Sequence, residues 1–337
     1  MDMGHNEQQA SADLAASVVV CVYTEERWSQ IEHALRSIAE QTVRPGQVVV
    51  VVDHNPALGQ RLATQYPDLD VIPNKFERGL SGARNTGIDQ AKGDVVVFLD
   101  DDAHADPGWL RSLLACYDHE SVLGAGGLVL PDWSSAEPPG WLPEEFLWVV
   151  GCSYQGLPET KAEIRNPVGA NMSFRRTAFD RAGYFDSSVG RNAKVARPMG
   201  CEETEFSIRL RRIWPDGRII YEPRAVVYHQ VDDSRRTWRY FLDRCYAEGF
   251  SKAQVARLSG MSSALSSERT YVIHAVRQAF YREFSGLVRT GSKDTLGRLA
   301  ALLLGVSWTG AGFAGASVSR IKFPARSKRR VRWRRPR

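Results

Sequence analysis

Three aspartates in a row end an apolar segment near the middle of the chain, where residues 98–104 read FLDDDAH. A helix cap or a turn needs only one such residue. Because side chains alternate along extended backbone, Asp100 and Asp102 are expected to point to one side and Asp101 to the other. Two carboxylates on one side, with no basic residue adjacent in sequence, repel each other unless a cation lies between them. Such oxygen ligands suit Mg²⁺ or Mn²⁺ shared with a phosphate-bearing substrate; a solvated acidic loop is the alternative.

A glycine-containing stretch precedes this motif, and it reads ERGLSGARNTG at residues 77–87. Gly79 and Gly82 would let the backbone approach a ligand closely, and Arg84 falls in the opening turns of a predicted helix. A helix N-terminus together with a guanidinium is suited to binding a diphosphate. The alternative is a glycine-containing helix start that binds nothing.

A second acidic group follows in GCEETEF, at the start of another predicted helix. The helix dipole favours acids there, so Glu202 can be explained as a capping residue. Glu205 is expected to pair with Arg209 one turn later. Glu203 has no evident structural role, and a carboxylate in a cleft can act as a general base.

His229 ends the strand-like segment AVVYHQ. An isolated histidine at a strand end is usually structural. Close to a divalent ion its imidazole would be a candidate metal ligand.

The first part of the chain alternates short β-branched runs with helical patterns. Trp28, Ile31, Leu35 and Ile38 lie on one helical stripe. Strands are predicted at 17–23, 47–53, 69–74 and 93–100, with a further helix at about 80–91. This order predicts a doubly wound, mostly parallel α/β sheet whose ligands bind beyond the carboxyl ends of the strands. The segments after the first, second and fourth strands should therefore face one crevice.

The second part of the chain is less regular. An irregular stretch rich in proline and tryptophan is predicted at 131–165, followed by an ordered segment at 167–176 and a short helix at 177–184. A helix at 202–213, two short strands within 218–230, and helix from about 235 complete the prediction. The aromatic stretch holds Trp133, Trp141, Phe146 and Trp148. These side chains either shape an acceptor site or bury one another in a loop.

The chain has 337 residues, of which 43% are hydrophobic and 25% are charged. This composition is typical of an ordinary globular protein. The five cysteines are scattered and form no CxxC pair. This argues against a zinc site or a disulfide framework and for a reducing compartment. The first 17 residues contain neither the basic segment nor the apolar segment of a secretory signal peptide. We therefore expect a cytoplasmic protein.

Positive charge is concentrated at the C-terminus. The last twelve residues hold eight Arg or Lys and no acid, so without them the net charge would change from +5 to −3. We expect this tail to contact the anionic inner face of the cell membrane rather than a dedicated nucleic-acid site, with a partnerless solvated tail as the alternative. Residues 299–319 carry no charge. That length could span a bilayer, but four glycines and the adjacent basic tail favour a helix in the interface or packed on the domain.

Seven motifs in order resemble family 2 inverting glycosyltransferases with the GT-A fold: VVCVYTEER, VVVD, RGLSGARNTGI, FLDDDA, GANMSFRR, CEETEFSIRL and VVYH. The resemblance covers about residues 17–232. It implies transfer of a sugar from a nucleoside diphosphate sugar, usually a UDP-sugar, to an acceptor hydroxyl. Transfer would proceed by a single displacement that inverts the anomeric carbon, with Mn²⁺ or Mg²⁺ as cofactor.

The resemblance also implies roles for individual residues. Val22, Tyr23 and Glu25 would contact the base and ribose, and Asp53 would bind the nucleoside. The donor-binding helix start would include Gly79, Arg84 and Asn85, and Asn171 would line the sugar or acceptor pocket. Asp100 and Asp101 would lie on the donor side of the DXD motif, Asp102 would hold the metal, and His229 would complete the metal shell.

The catalytic pair departs from the family pattern. The family usually has Glu-Asp with the Asp as base, whereas this chain has Glu202-Glu203. We expect Glu203 to deprotonate the acceptor, while the metal and Arg84 stabilise the departing diphosphate.

Two alternatives to a transferase remain open. A sugar-phosphate nucleotidyltransferase would need a glycine-rich basic loop after the first strand, where this chain reads VYTEERW. A binding protein that keeps the fold without turnover is supported only by the Glu203 departure. The expected organisation is a flexible segment 1–16, a catalytic domain 17–232 with donor half 17–130 and acceptor half 131–232, a helical region 233–320 and a basic tail 321–337.

Overall fold

A computed structural model of the protein describes residues 14–134, 137–190, 199–259 and 261–318. Most of the expected flexible segment 1–16 and the whole basic tail 321–337 lie outside the described residues.

One mixed sheet forms the centre of the fold. Its strands are β1 (Ala16–Val22), β2 (Gln47–Val52), β3 (Asp70–Pro73), β4 (Val95–Asp100), β5 (Ala103–Ala105), β6 (Val122–Asp132), β7 (Ala162–Glu163), β8 (Asn171–Arg175) and β9 (Arg218–Gln230). The order is β3-β2-β1-β4-β8-β6-β9-β5, with β7 beside β9. β1 is parallel to β2 and β4, β2 is parallel to β3, and β6 is parallel to β9, whereas β8, β5 and β7 run antiparallel to their neighbours. The expected mostly parallel sheet is confirmed.

Helices cover the sheet and form the C-terminal part. They are α1 (Trp28–Ala39), α2 (Pro56–Gln65), α3 (Leu80–Gln90), α4 (Trp109–Leu114), α5 (Arg176–Ala182), α6 (Glu202–Ile213), α7 (Trp238–Ser259), α8 (Met261–Thr290) and α9 (Lys293–Val318). Single 3₁₀ segments lie at Glu25–Arg27, Glu144–Val150 and Asp233–Arg236.

The valine runs explain why the sheet is buried on both faces. Val18 and Val20 of β1 contribute to one apolar cluster, and Val19 between them contributes to the other. Alternate side chains of a strand point to opposite faces, so a continuous run of valine fills both layers. This burial fixes the register of the strands whose carboxyl ends carry the polar motifs.

The prediction of two short strands within 218–230 is wrong, because β9 is one strand of 13 residues. Its pairing with β6 shifts between Glu222, opposite Gly127, and Val226, opposite Leu128. The intervening residues bulge out of the ladder around Pro223, which has no N–H to donate. The bulge lets one strand continue to His229.

The aromatic stretch packs in a way that neither expectation described. Trp141 stacks on Trp238 of α7 with ring centroids 4.2 Å apart, and Phe146 joins a core cluster with Phe241. The guanidinium carbon of Arg244 lies over Trp148, 5.7 Å from the centroid of the Trp148 ring. These three side chains therefore fasten the C-terminal helices to the sheet domain.

Candidate active site

Strand pairing brings the aspartates and the histidine together. β4 ends at Asp100, and the chain turns through Asp101 and Asp102 into β5. Ala103 of β5 lies opposite His229 of β9, and the Gln230 N–H donates to the Asp102 carbonyl (2.8 Å). The imidazole of His229, 127 positions after Asp102 in sequence, is thus held beside the carboxylates by backbone hydrogen bonds.

Asp100, Asp102 and His229 form a candidate metal centre. One ligand atom from each lies within 4.8 Å of the others, and His229 Nε2 is 3.3 Å from Asp102 Oδ1. Both Asp102 and His229 are buried. Among the described residues, His229 Nδ1 and Asp101 Oδ2 are buried without a hydrogen-bond partner. Two carboxylates, an imidazole and unpaired buried polar atoms fit a divalent cation with oxygen and nitrogen ligands.

Two arginines that the sequence analysis missed face these aspartates. Arg27 Nη1 lies 2.7 Å from Asp101 Oδ1 and 3.1 Å from Asp102 Oδ2, and Arg235 Nη2 lies 3.0 Å from Asp102 Oδ2. The aspartates therefore have basic partners, although none is adjacent in sequence. Arg27 could have been found from its position just beyond the carboxyl end of β1, on the same sheet edge. Arg235 had no local signal, because its place depends on where β9 ends.

Burial and positive neighbours shift the two aspartates in opposite directions. Burial opposes ionisation of Asp102, but His229, Arg27 and Arg235 hold its pKa well below its usual range. Burial and the charge on Asp102 raise the pKa of Asp101 to about 7. Asp102 is therefore the acid of the two that stays ionised near neutral pH.

Arg84 occupies a different place from the one expected. It is almost fully buried, and it donates to Asp100 Oδ1 (2.9 Å), Glu202 Oε1 (2.8 Å) and the Gly169 carbonyl (3.1 Å). Since these acceptors use its guanidinium, Arg84 joins the start of α6 to the end of β4. The structure thus shows Arg84 in a positioning role, and its contact with the donor diphosphate stays a prediction.

Glu203 is the acid of the pair that is not fixed by an arginine. It accepts a hydrogen bond from Thr204 Oγ1 (3.3 Å), and among the described residues it makes no ion pair. Burial and neighbouring Glu202 raise the pKa of Glu203 to about 8. A carboxylate with a raised pKa is a strong enough base to accept a proton near neutral pH.

The residue before this pair is strained. Cys201 has φ of 77°, a left-handed conformation that is costly for a residue with a Cβ, and its thiol donates to Glu248 of α7 (3.5 Å). The start of α6 is thus held from the opposite side by α7. Glu205 pairs with Arg209 at 2.7 Å, as the spacing predicted.

Asp53, the expected nucleoside contact, is held in a network with the loop before α3. Its carboxylate accepts hydrogen bonds from the Gly79 N–H (2.9 Å) and from Asn74 Nδ2 (2.6 Å). Gly79 has φ of 134°, which favours glycine at the entry to α3. Asp53 therefore fixes the loop before α3, and Asn74 is a partner that the sequence analysis missed.

The remaining donor-side residues lie around the end of β1. Val22 is buried, and its carbonyl accepts from the Asp53 N–H (2.7 Å). Tyr23 is 45% exposed, and Glu25 is exposed as well. Tyr23 and Glu25 thus present their side chains to solvent, whereas the side chain of Val22 does not reach the surface.

Two residues that were expected to face the donor or acceptor make their side-chain hydrogen bonds inside the protein. Asn171 is completely buried at the start of β8, where it accepts from Trp109 Nε1 (2.8 Å) and donates to two backbone carbonyls. Asn85 exchanges hydrogen bonds with both the N–H and the carbonyl of Phe185. The expectation that Asn171 lines a pocket is wrong, and the amide of Asn85 holds the loop at Phe185 instead of facing the crevice.

Comparisons with known proteins agree with this architecture. Residues 17–183 match the family model for glycosyl transferase family 2. The glucosyl-dolichyl phosphate glucuronosyltransferase of Haloferax volcanii is 35% identical over 243 residues, which are 71% of this chain and 76% of that protein. The succinoglycan biosynthesis protein ExoM of Rhizobium meliloti is 28% identical over 247 residues, covering 70% of this chain and 73% of that protein.

Solved structures extend the likeness to the fold. The mannosyltransferase PcManGT from Pyrobaculum calidifontis, in complex with GDP-Man and Mn²⁺, has a TM-score of 0.55 at 17% identity and covers 92% of this chain and 94% of that one. GalNAc-T7 with UDP, GalNAc and Mn²⁺ has a TM-score of 0.50 at 18% identity, covering 71% of this chain and 48% of that one. The expected GT-A fold with C-terminal helices is confirmed.

Proposed function

This chain belongs to glycosyl transferase family 2, and we propose that it is a metal-dependent inverting enzyme. It moves a hexosyl group from a nucleoside diphosphate sugar, in the first place a UDP-sugar, to an acceptor hydroxyl. The observation that carries the proposal is the convergence of Asp100, Asp102 and His229 on one sheet edge. Through Arg84, the same edge holds the helix start that presents Glu203.

Asp100, Asp102 and His229 would hold the Mn²⁺ or Mg²⁺ ion. When bound, this ion supplies positive charge to the two phosphates of the donor. Arg27 and Arg235 flank the same aspartates, so further positive charge lies next to the leaving group. These groups lower the cost of forming a nucleoside diphosphate.

Glu203 acts as the general base. Its carboxylate takes the proton of the acceptor hydroxyl as that oxygen bonds to the anomeric carbon, and the bond from this carbon to the diphosphate oxygen breaks. Arg84 and Glu202 fix the backbone from which Glu203 projects. Attack opposite the leaving group inverts the anomeric carbon.

Tyr23, Glu25 and Asp53 form the nucleoside end of the donor site. The exposed ring of Tyr23 lies 5.2 Å from the guanidinium carbon of Arg27, between the sheet edge and solvent. This position suits stacking of a base whose diphosphate extends toward Asp102.

We propose a lipid-linked sugar as acceptor. Support comes from the 35% identical relative, whose name states that it acts on glucosyl-dolichyl phosphate. The basic C-terminus supports a location at the anionic cytoplasmic face of a membrane, which suits a lipid-linked acceptor.

The test is a transfer assay with UDP-, GDP- and dTDP-sugars, with a glycosylated polyprenyl phosphate as acceptor and with Mn²⁺, Mg²⁺ or chelator. One donor should be consumed only with metal, and the NMR coupling of the new anomeric proton should report inversion. Retention would overturn the single displacement. Donor binding without product for every donor would favour the non-catalytic alternative.

A further inference from the structure

We infer that the exposed faces of α8 and α9 form a surface that docks in the plane of an anionic membrane. This docking face is defined by Tyr281, Phe284 and Val288 of α8 and by Leu296, Leu303, Leu304, Val306 and Trp308 of α9. The inference rests on the proposed membrane location and does not depend on the transfer reaction.

The inward face of α9 combines buried Leu299 and Leu302 with glycines at the closest contacts. A Cβ placed on Gly312 would overlap the carbonyl oxygen of Tyr246 in α7, and one on Gly305 would overlap the ring of Phe146. On α7, a Cβ on Gly249 would likewise overlap the carbonyl of Thr309. Glycines at such contacts let helix backbones approach closely, as helices in membranes do.

The outward face of α9 carries large apolar side chains. Leu296 and Leu303 are 57% and 58% exposed, and Val306 and Trp308 are 45% and 41% exposed. No charged residue occurs in 299–319. A helix on a water-exposed surface normally keeps its large apolar residues inward and its charges outward, whereas α9 exposes large apolar residues on its outward face as well.

α8 extends the apolar surface. Tyr281, Phe284 and Val288 follow one another at helical spacing, and they are 61%, 52% and 75% exposed. α8 packs against α9. α8 therefore adds exposed apolar side chains to those of α9, and an accumulation of this kind is typical of a binding surface.

The chain beyond α9 identifies a membrane as the occupant. Residues 320–337 contain ten Arg or Lys and no acid, and they follow directly after the apolar helix. An apolar face beside a basic segment complements a bilayer with anionic headgroups. A second copy of this chain would repel the same basic segment.

The packing of α9 favours an orientation in the membrane plane. Lys293–Ser317 is long and apolar enough to cross a bilayer, but a third of its most apolar window is buried in the protein. The covering helix, α7, is itself tied to the candidate active site through Cys201 and Glu248. A helix covered along one side by the catalytic part can present only its other side to lipid.

The test is flotation of the full chain with vesicles of phosphatidylcholine alone and of phosphatidylcholine mixed with phosphatidylglycerol. Wild type should float with the anionic vesicles and less so at high salt. The double variant Leu296→Gln/Leu303→Gln should bind about tenfold more weakly, because two half-exposed leucines no longer enter lipid. Ile213→Gln removes an apolar side chain of similar exposure, 49%, from α6 outside the docking face, and should bind as wild type does.

Equal flotation of the double variant and wild type would overturn the inference, as would equal weakening by Ile213→Gln. Failure of wild type to float, together with a dimer that Leu296→Gln/Leu303→Gln dissociates, would overturn it in favour of self-association. Nucleoside diphosphate release without vesicles, measured on the same samples, should be equal for the double variant and wild type. A defect in transfer is thereby separated from a defect in docking.

Discussion

Glu202 and Glu203 are neighbours in sequence, yet their surroundings give them different chemistry. Glu202 is buried against Arg84, and its second oxygen, Oε2, lacks a hydrogen-bond partner among the described residues. Glu203 has no arginine partner there, and its pKa is raised to about 8 by burial and by Glu202. One acid therefore orients the helix start, and the other is left as a proton acceptor.

We expect the pH dependence of turnover to follow Glu203. Since the base must be ionised, kcat/KM should rise with pH up to about 8. Glu203→Gln should lower kcat by about 10²- to 10⁴-fold. Glu203→Asp, which restores the usual family residue, should keep more activity than Glu203→Gln. Equal activity of Glu203→Gln and wild type in a transfer assay would remove Glu203 from the mechanism.

The same pKa shift predicts a stability effect with a definite sign. A carboxyl whose pKa is raised on folding contributes stability below its unfolded pKa, and this contribution is lost as pH rises through about 8. Glu203→Gln should therefore melt at a higher temperature than wild type at about pH 9, and the two should melt together at about pH 5. Calorimetry at both pH values checks this, and a difference at the lower pH alone would contradict it.

Arg84 should be far more important for stability than a surface cation. Arg84→Met leaves Asp100 and Glu202 without their shared partner, and this should reduce the free energy of unfolding by about 3–5 kcal/mol. Lys161→Met removes an exposed ion pair with Asp118 (3.4 Å) and should change the free energy of unfolding by less than about 1 kcal/mol. Urea unfolding of the two variants makes the comparison, and equal losses would show that the buried bridge is not structural.

At the scale of elements, glycines decide how closely α7 and α9 approach. Gly312 faces the Tyr246 carbonyl, whereas a Cβ on Gly310 would have no atom within 4 Å. Both positions are helical, so their intrinsic preference for Ala over Gly is the same.

This pair gives a matched prediction. Gly312→Ala should destabilise the protein by about 1–3 kcal/mol, because α7 and α9 must move apart. Gly310→Ala should stabilise it by about 0.5–1 kcal/mol, because only the helix preference remains. Thermal unfolding measures both, and stabilisation by Gly312→Ala would contradict the close packing.

Helices and strands were predictable from sequence where a local pattern of residues specifies them. They were not predictable where contacts with residues far away in sequence determine the strand register or the burial of a side chain. The valine runs of β1 and β2 and the apolar stripe of α1 are visible in sequence because burial needs apolar side chains at fixed intervals. The bulge in β9 depends on its register with β6, and the buried role of Asn171 depends on Trp109, which lies 62 positions earlier. Such contacts have no periodic signature.

At the scale of the whole molecule, the sheet order gathers the site from distant parts of the chain. Asp102 and Glu203 could be proposed from sequence because their motifs carry more acids than capping or turns require. Arg235 could not, because its contact with Asp102 spans 133 positions and arises from the β5–β9 pairing. The positive charge around the aspartates is thus a property of the fold, and so is the bridge that Arg84 makes between Asp100 and Glu202.

The most direct test of this account measures Mn²⁺ binding and nucleoside diphosphate release on the same samples of wild type, Asp102→Asn and Glu203→Gln. We predict that wild type binds Mn²⁺ in the presence of the donor and releases the nucleoside diphosphate. Asp102→Asn should lose both properties, because it removes a charged metal ligand. Glu203→Gln should bind the metal as wild type does and lose turnover. Metal-dependent release that survives Asp102→Asn, or Mn²⁺ binding that disappears in Glu203→Gln while the protein stays folded, would contradict the assignment of the two acids.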